Sequence, residues 1–464
     1  MNQKQIRKEK KNSANKSILE GGFASFSAGI GERYVVPFAL ALNANNLQIG
    51  FLSSFVGLIS SLGRLLSSKL LYTHSRKRII VGAIFLQALM WILISSVGLL
   101  VYLDKLKTSY AIYGLLIFYT LYASFAALEG PAWFSYMGDI IEEKDRSKYF
   151  SKRNMVIGII AMLTTFGASF FLDYSRSAGI LIVGFLIFFA AAAFFRFCSG
   201  YVFSTMYEPK IEFSREQHFS FWQFLKKAPT NNVGKFVIFI SLINIATHFA
   251  APFFAVYMLV ELGFSYLTFA ILILSGGFFT VISTPLWGKI SENYGNKALL
   301  TIGSLLIPIA PLLWLVSESP IVLILLPQFF GGLGWSAFNL ASNNFLLDAV
   351  TPQRRGIIMS YSGILTGISI FIGSSMGGFF AQYAPFTLFG SNIFLTIFFL
   401  SFLGRLTIVL FMVPLIEEVK EYKQKISYTS LNAAYMLKNI PIMNLYRGFK
   451  INIYPQTLLK SKKQ

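Results

Sequence analysis

Long apolar stretches separated by short polar breaks run along most of this chain of 464 residues. A helix needs roughly 20 apolar residues to cross a bilayer. Runs of that kind lie near 18–42, 48–71, 79–103, 110–137, 154–173, 178–206, 236–261, 265–288, 298–316, 321–347, 357–382 and 388–415. They predict about twelve spanning helices. Turn-like breaks such as Asn43–Asn46 and Ser317–Pro320 separate neighbours. The longest polar interior stretch, 208–235, follows the sixth run and divides the chain into two sets of six. The expected organisation is a basic N-terminal segment, 1–17, a first bundle, 18–207, a central loop, 208–235, a second bundle, 236–416, and a basic tail, 417–464. The fold class is an all-α polytopic membrane protein with two pseudo-symmetric six-helix bundles.

The few polar marks inside the apolar runs repeat. Asp139, Arg146, Ser151, Gly158, Arg196 and Glu208 reappear, each 209 positions later, as Asp348, Arg355, Ser360, Gly367, Arg405 and Glu417. A hydrophobic chain with the same sparse marks in both halves has the form of a duplicated transporter.

Charge then sets orientation. The net charge is +20, which on a soluble chain would suggest nucleic acid. Here, with the N-terminus inside, three Lys/Arg (Lys105, Lys107 and Arg176) fall outside, four lie within the runs, and the remaining 33 fall on one side. That is the positive-inside asymmetry. It places both termini in the cytoplasm of a cell-membrane protein and removes nucleic acid as a partner. The partners expected are the lipid bilayer, a small-molecule substrate and a co-transported proton, with the chain acting as a monomer. The stretch LNAAYMLKNIPIMNLYRGF in the tail reads either as a short helix on the inner leaflet or as a solvated segment.

Composition excludes other chemistry. Apolar residues make up 55% and charged residues 13%, against about 25% charge in soluble domains. One cysteine, Cys198, rules out an internal disulfide, and three scattered histidines show no metal-ligand spacing. No cofactor is expected. There is no Gly-x-x-x-x-Gly-Lys-Ser/Thr loop for nucleotide and no nucleophile–base–acid set, so the chain is not expected to be an enzyme. The energy source is then an ion gradient or the substrate's own gradient.

The string PLWGKISENYGNKALL follows the eighth run. It resembles the short cytoplasmic loop signature of the major facilitator superfamily, with Gly288, Glu292, Gly295 and Lys297 in its positions and Glu292 one place off the commonest spacing. The equivalent string GRLLSSKLLYTHSRKRIIVG keeps the basic end Arg76–Lys77–Arg78 but carries Leu71 and Tyr72 at the acidic position. The string PAWFSYMGDIIEEKDRSKYFSKRN also resembles a loop of bacterial and archaeal members. The resemblance covers roughly residues 18–416. It implies two rocking bundles, alternating access and a central site for a small molecule moved by uniport, symport or antiport. In such a loop, glycines permit close helix approach and the acid pairs with a neighbouring base. Glu292 therefore reads as a conformational latch or as a solvated loop charge. The pairs Asp139/Arg146 and Asp348/Arg355 read as membrane-surface salt bridges or gate latches.

Charges inside spanning helices are costly and mark function. Glu32 and Arg33 lie mid-way along the first run, with Pro37 one turn on. One of them is expected at a cavity; the rival reading is a static pair with another helix. Glu129, before Gly130–Pro131, is a candidate proton carrier or a cap for freed backbone groups. Arg196 and Arg405 are expected to share a scaffold role, snorkelling or pairing at the inner surface. His248, with Asn244 and Thr247, is a proton carrier or a satisfied buried histidine. Asn339, Asn343 and Asn344 form a polar stripe for substrate contact or interhelical hydrogen bonds. Gln87, Tyr119, Tyr122, Trp133 and Trp335 are further possible cavity residues. The reading is a secondary active transporter coupled to protons through Glu32, Glu129 or His248. A lipid scramblase or flippase, a membrane enzyme on lipid-linked substrates using Glu142–Asp145, and a non-transporting sensor of the same fold remain alternatives.

Overall fold

The computed structural model describes residues 3–419 apart from 72, 143–144, 210–219 and 391. The calls made on the tail beyond 419 lie outside the described residues. The first half comprises α1 (Gln3–Ile30), a single 3₁₀ turn Glu32–Tyr34, α2 (Val35–Ala41), α3 (Asn46–Leu70), α4 (Arg76–Tyr102), α5 (Thr108–Ile140), α6 (Arg146–Ser177) and α7 (Leu181–Ser204). In the central loop lies α8 (Phe221–Lys227). The second half comprises α9 (Asn232–Ala250), α10 (Phe253–Val256) and its π-helical continuation Tyr257–Glu261, then α11 (Tyr266–Tyr294) and α12 (Asn296–Leu313). It closes with α13 (Pro320–Leu323), a π-helical turn Ile324–Gln328, α14 (Phe329–Ala349), α15 (Pro352–Tyr383) and α16 (Ile393–Met412).

Eleven spans among the described residues are long and apolar enough to cross a membrane. The first run accounts for the difference from twelve. It is not one helix: it breaks at Gly31, and its apolar part is shared between α1 and α2. The basic N-terminal segment also differs from expectation. Helix α1 begins at Gln3 and carries Lys and Arg residues into the first span without a stop, as the helix propensity of Lys, Arg, Glu and Gln allows. The central loop, read as polar, holds α8. A capping box of Ser220 and Gln223 starts it, and Phe224 packs into the second half beside Tyr361.

The repeat seen in the sequence is a repeat of bonds. Arg146 donates to the carbonyls of Gly138 (2.8 Å) and Ile141 (3.4 Å). Arg355 donates to those of Leu347 (2.6 Å) and Val350 (3.2 Å). Both partners are again 209 apart. The Lys77 amide donates to Glu208 (3.1 Å) and the Lys297 amide to Glu418 (2.8 Å). The functional match of Glu208 is thus Glu418, not Glu417, whose backbone pairs with Asn232 instead.

Three apolar cores hold the molecule, and their membership defines its shape. One draws on both halves, with Phe38, Trp91 and Phe185 meeting Phe253, Tyr257, Trp314 and Phe398. The other two are private. One joins Phe236, Leu299, Phe345 and Val409 of the second half, the other Ile80, Tyr136, Ile140 and Phe203 of the first. The shared core lies toward the face opposite the N-terminus and central loop. The private cores lie toward the face that bears them, here called the basic face. The halves therefore share an apolar core at one end and keep private cores at the other.

Two long helix pairs dominate the join between the halves, and they differ. Along α3 and α15, small residues let backbones touch. A Cβ on Gly50 would lie 2.8 Å from the Cα of Gly378, and one on Gly367 would lie 2.6 Å from the carbonyl of Gly57. Asn46 donates to the Ala381 carbonyl at 3.3 Å, and Ser374 to Ser53 at 3.3 Å. Helices α6 and α11 are bonded at the far face, where both Asp173 carboxylate oxygens accept from α11 amides: Tyr266 at 2.7 Å and Leu267 at 2.9 Å. Farther along, a Cβ on Gly158 or Gly277 would meet nothing within 4 Å.

Candidate functional site

The break in the first span creates the site. A Cβ on Gly31 would lie 2.7 Å from the Trp91 ring, so only glycine lets the span pass this buried indole. The chain then makes the 3₁₀ turn in which Glu32 and Arg33 are exposed while Tyr34 is buried. The Tyr34 hydroxyl donates to the Thr165 carbonyl at 2.6 Å, anchoring the turn. Glu32 accepts a hydrogen bond from Tyr122 at 2.6 Å. It borders a cavity of about 500 Å³ lined also by Ser60, Arg64, Tyr119, Tyr122 and Pro131. The Tyr119 and Tyr122 rings are nearly parallel, 5.9 Å apart, and Trp91 backs Tyr122 at 4.6 Å.

Beneath this cavity, buried charges cross the first half. Arg196 is paired with Glu129 and donates to Gln87 at 2.9 Å and 3.2 Å. Gln87 donates to the same Glu129 at 2.8 Å. Arg196 also donates to Ser199 (3.3 Å), and Ser199 donates to Glu20 (3.0 Å). Glu20 closes the chain through Arg153 at 3.3 Å, and Arg153 lies over the Trp133 ring. Two acids and two bases from α1, α5, α6 and α7 thus neutralise one another, with α4 contributing Gln87. Burying such charges is tolerable only when each is paired and hydrogen-bonded. Glu129 is therefore neither a free carboxylate nor a backbone cap.

The second half lacks this network. Position 338, which matches Glu129 in the repeat, is Phe. Arg405 is buried and donates only to the carbonyls of Ile307 (3.2 Å) and Thr247 (3.5 Å). Its Nε has no partner among the described residues, nor has His248 Nδ1 or Thr247 Oγ1. The two arginines thus keep a common position inside their bundles but not a common bonding pattern, and neither snorkels to the surface. His248 is half-buried, and its Nδ1 lacks the hydrogen bond expected of a satisfied core histidine among the described residues. Asn339 and Asn343 are exposed on one stripe of α14, while Asn344 turns inward and donates to Ser291 at 3.4 Å.

The expected latches are rebuilt. Asp139 pairs with Arg76 at 2.7 Å, not with Arg146, which is occupied by carbonyls. Asp348 accepts from Asn296 at 2.8 Å, and Asn296 accepts from Ser291 at 2.6 Å. Each contact joins helices of one half at the basic face. Glu292 is exposed and has no ion pair among the described residues. Gly288 has open space, and Gly295 turns the chain between α11 and α12 at φ +94°. Lys297 contributes its amide to Glu418, as noted above.

Sequence reasoning passed over Arg64, Glu20, Arg153 and Asp173. A signal existed for two of them. Gly21–Gly22 after Glu20 is the space that Arg153 fills, since a Cβ on Gly21 would lie 2.6 Å from its guanidinium. Tyr119 and Tyr122 were named but could not be separated from many other aromatics.

The family model described as Major Facilitator Superfamily matches residues 21–229 and 235–450. The chain belongs to the major facilitator superfamily. That membership places this superfamily protein among membrane transporters and not among enzymes. A curated relative, the riboflavin transporter RibZ of Clostridioides difficile (strain 630), is 30% identical over 105 residues, 22% of this chain and 23% of that protein. The chain thus matches about a quarter of that relative's length. Among solved structures, an auto-inhibited POT family peptide transporter superposes with a TM-score of 0.66 at 12% identity, covering 90% of this chain and 99% of that one. A bacterial homologue of the iron transporter ferroportin superposes at 0.61 in its inward-facing state (14% identity, 89% and 99% covered). In its outward-facing state it superposes at 0.56 (16% identity, 87% and 98% covered).

Proposed function

We propose that this superfamily member is a proton-coupled secondary active transporter for a small molecule, in which Glu32 carries the proton. The observation that carries the reading is the contrast among acids. Glu20 and Glu129 are held in buried ion pairs, whereas Glu32 faces the cavity at a break in its helix with, among the described residues, only a tyrosine hydroxyl as donor. A carboxylate at such a place is easier to enclose neutral than charged, so protonation accompanies the step that moves the cavity between faces. A shared core at the far face and private cores at the basic face fit one end state of alternating access. Positive-inside charge makes the basic face cytoplasmic and the state inward-open, in keeping with the better superposition on the inward-facing ferroportin homologue. An open cavity is at odds with a non-transporting sensor.

One observation favours a second reading. Gly158 of α6 and Gly277 of α11 are exposed and face open space, which we read as room for the lateral groove a scramblase needs. A labelled-lipid scrambling assay in proteoliposomes separates the two. The proton reading is tested by Glu32→Gln. Accumulation driven by a pH gradient should disappear while exchange of substrate down its own gradient persists, because the neutral side chain permits the conformational step. Wild-type accumulation in Glu32→Gln sinks the role of Glu32 and turns attention to His248.

A further inference from the structure

The cavity has a directional chemistry, and its ligand class can be read from it. One face of α5 forms the wall: Tyr119, Tyr122, Ala123, Ala126, Gly130 and Pro131 recur at helical spacing. Aromatic rings stand at the deep end, and small residues continue toward the basic face. Opposite them, Val56, Ser60 and Arg64 form an i, i+4, i+8 stripe on α3. Arg64 is exposed to the cavity and makes no hydrogen bond or ion pair among the described residues. Its neighbour Gly63 packs at the level of Ala127, where a Cβ on Gly63 would lie 3.2 Å from the alanine methyl. The Glu32 carboxylate sits at the level of Tyr122. A cation, a hydrogen-bond acceptor and a flat aromatic surface beside the acceptor thus border one cavity. The small residues between leave a slot with no polar group on the α5 side.

We propose that this cavity binds an aromatic ring bearing an anionic group at one end and a hydrogen-bond donor at the opposite end. The anion pairs with Arg64, the donor meets Glu32, and the ring lies against the Tyr119–Tyr122 pair. Guanidinium supplies a planar fork suited to carboxylate. Rings packed on tyrosines held by Trp91 add attraction beyond area burial. The proposal rests on the reading of the cavity as the transport site, but not on proton coupling.

The test uses the purified full chain in detergent or nanodiscs, with thermal shift and equilibrium binding of 4-hydroxybenzoate as the probe. It is compared with benzoate (no donor), 4-hydroxybenzamide (no charge) and 4-hydroxycyclohexanecarboxylate (no aromatic ring). The expected result is stabilisation by 4-hydroxybenzoate, with each comparison compound at least tenfold weaker. Arg64→Gln should lose tenfold or more in affinity, Arg64→Lys should lose less, and Tyr119→Leu should erase the preference over the saturated ring. Arg64 is exposed, so both variants should fold, and their unliganded melting temperatures check this. No binding of 4-hydroxybenzoate at millimolar concentration overturns the proposal. Equal binding of the saturated ring, or unchanged affinity in Arg64→Gln, does so too. Proton uptake on binding is read in the same samples. Binding through Arg64 without proton uptake would count against the coupling role of Glu32 and leave this inference standing.

Discussion

Asp173 offers a direct measure of what keeps the far face shut. Its carboxylate belongs to α6 in the first half, yet it accepts from the amides of Tyr266 and Leu267 at the start of α11 in the second. The next amide, Thr268, is satisfied by Ser265 of the same helix at 3.1 Å. The N-terminus of α11 is therefore capped partly by its own chain and partly across the gap between halves. When the far face opens, α11 loses two acceptors and Asp173 loses two donors. Hydrogen bonds to a charged group contribute about 1.5–3 kcal/mol each when buried. Asp173 is half-buried and both groups regain water on opening, so about 2 kcal/mol for the pair is a fair discounted figure. That corresponds to about 30-fold in the ratio of closed to open far face. A wild-type ensemble with about 1% open molecules would rise to about a quarter open in Asp173→Ala. Spin labels on Ser177→Cys and Glu318→Cys, in a Cys198→Ser background, report the opening as a longer distance in pulsed resonance spectra. Asp173→Asn, which keeps one acceptor oxygen, should fall between. An unchanged distance distribution in Asp173→Ala would refute the reasoning. It would mean that the shared apolar core alone holds the face closed.

Three further outcomes follow from the same structure. Arg196→Leu leaves Glu129 buried without its partner and should destabilise the protein by about 3 kcal/mol or more, whereas Arg405→Leu removes a buried cation with no ion-pair partner and should be near neutral or stabilising; denaturant unfolding of the purified variants compares them. Gly50→Val thrusts a side chain into the Gly378 backbone and should weaken far-face closure, seen with the same pair of spin labels. Cysteines replacing Lys226 and Ser177 should be labelled from opposite sides of intact cells, 226 from the cytoplasm, and external labelling of 226 would invert the orientation argued from charge.

Much of the architecture was readable because a membrane leaves few options. Backbone groups in lipid must be satisfied within helices, so length and hydropathy alone locate the spans. Sparse charges stand out against an apolar background, which is why the 209-residue repeat could be anticipated. The first span was misjudged because Gly31 and the 3₁₀ turn after it respond to Trp91, a residue of another helix.

Pairing was the other matter the chain order could not decide. The residues matched in sequence as partners, Asp139 with Arg146 and Asp348 with Arg355, are near neighbours along the chain. In the folded molecule each arginine binds carbonyls at the end of the preceding helix, and each aspartate turns to a residue more than fifty positions away. Which buried acids are locked and which one faces water likewise depends on five helices meeting around Glu20, Arg153, Glu129 and Arg196. Hydropathy and duplication are properties of local sequence and survive without a fold. Charge compensation and cavity exposure are properties of neighbours, and only packing chooses the neighbours.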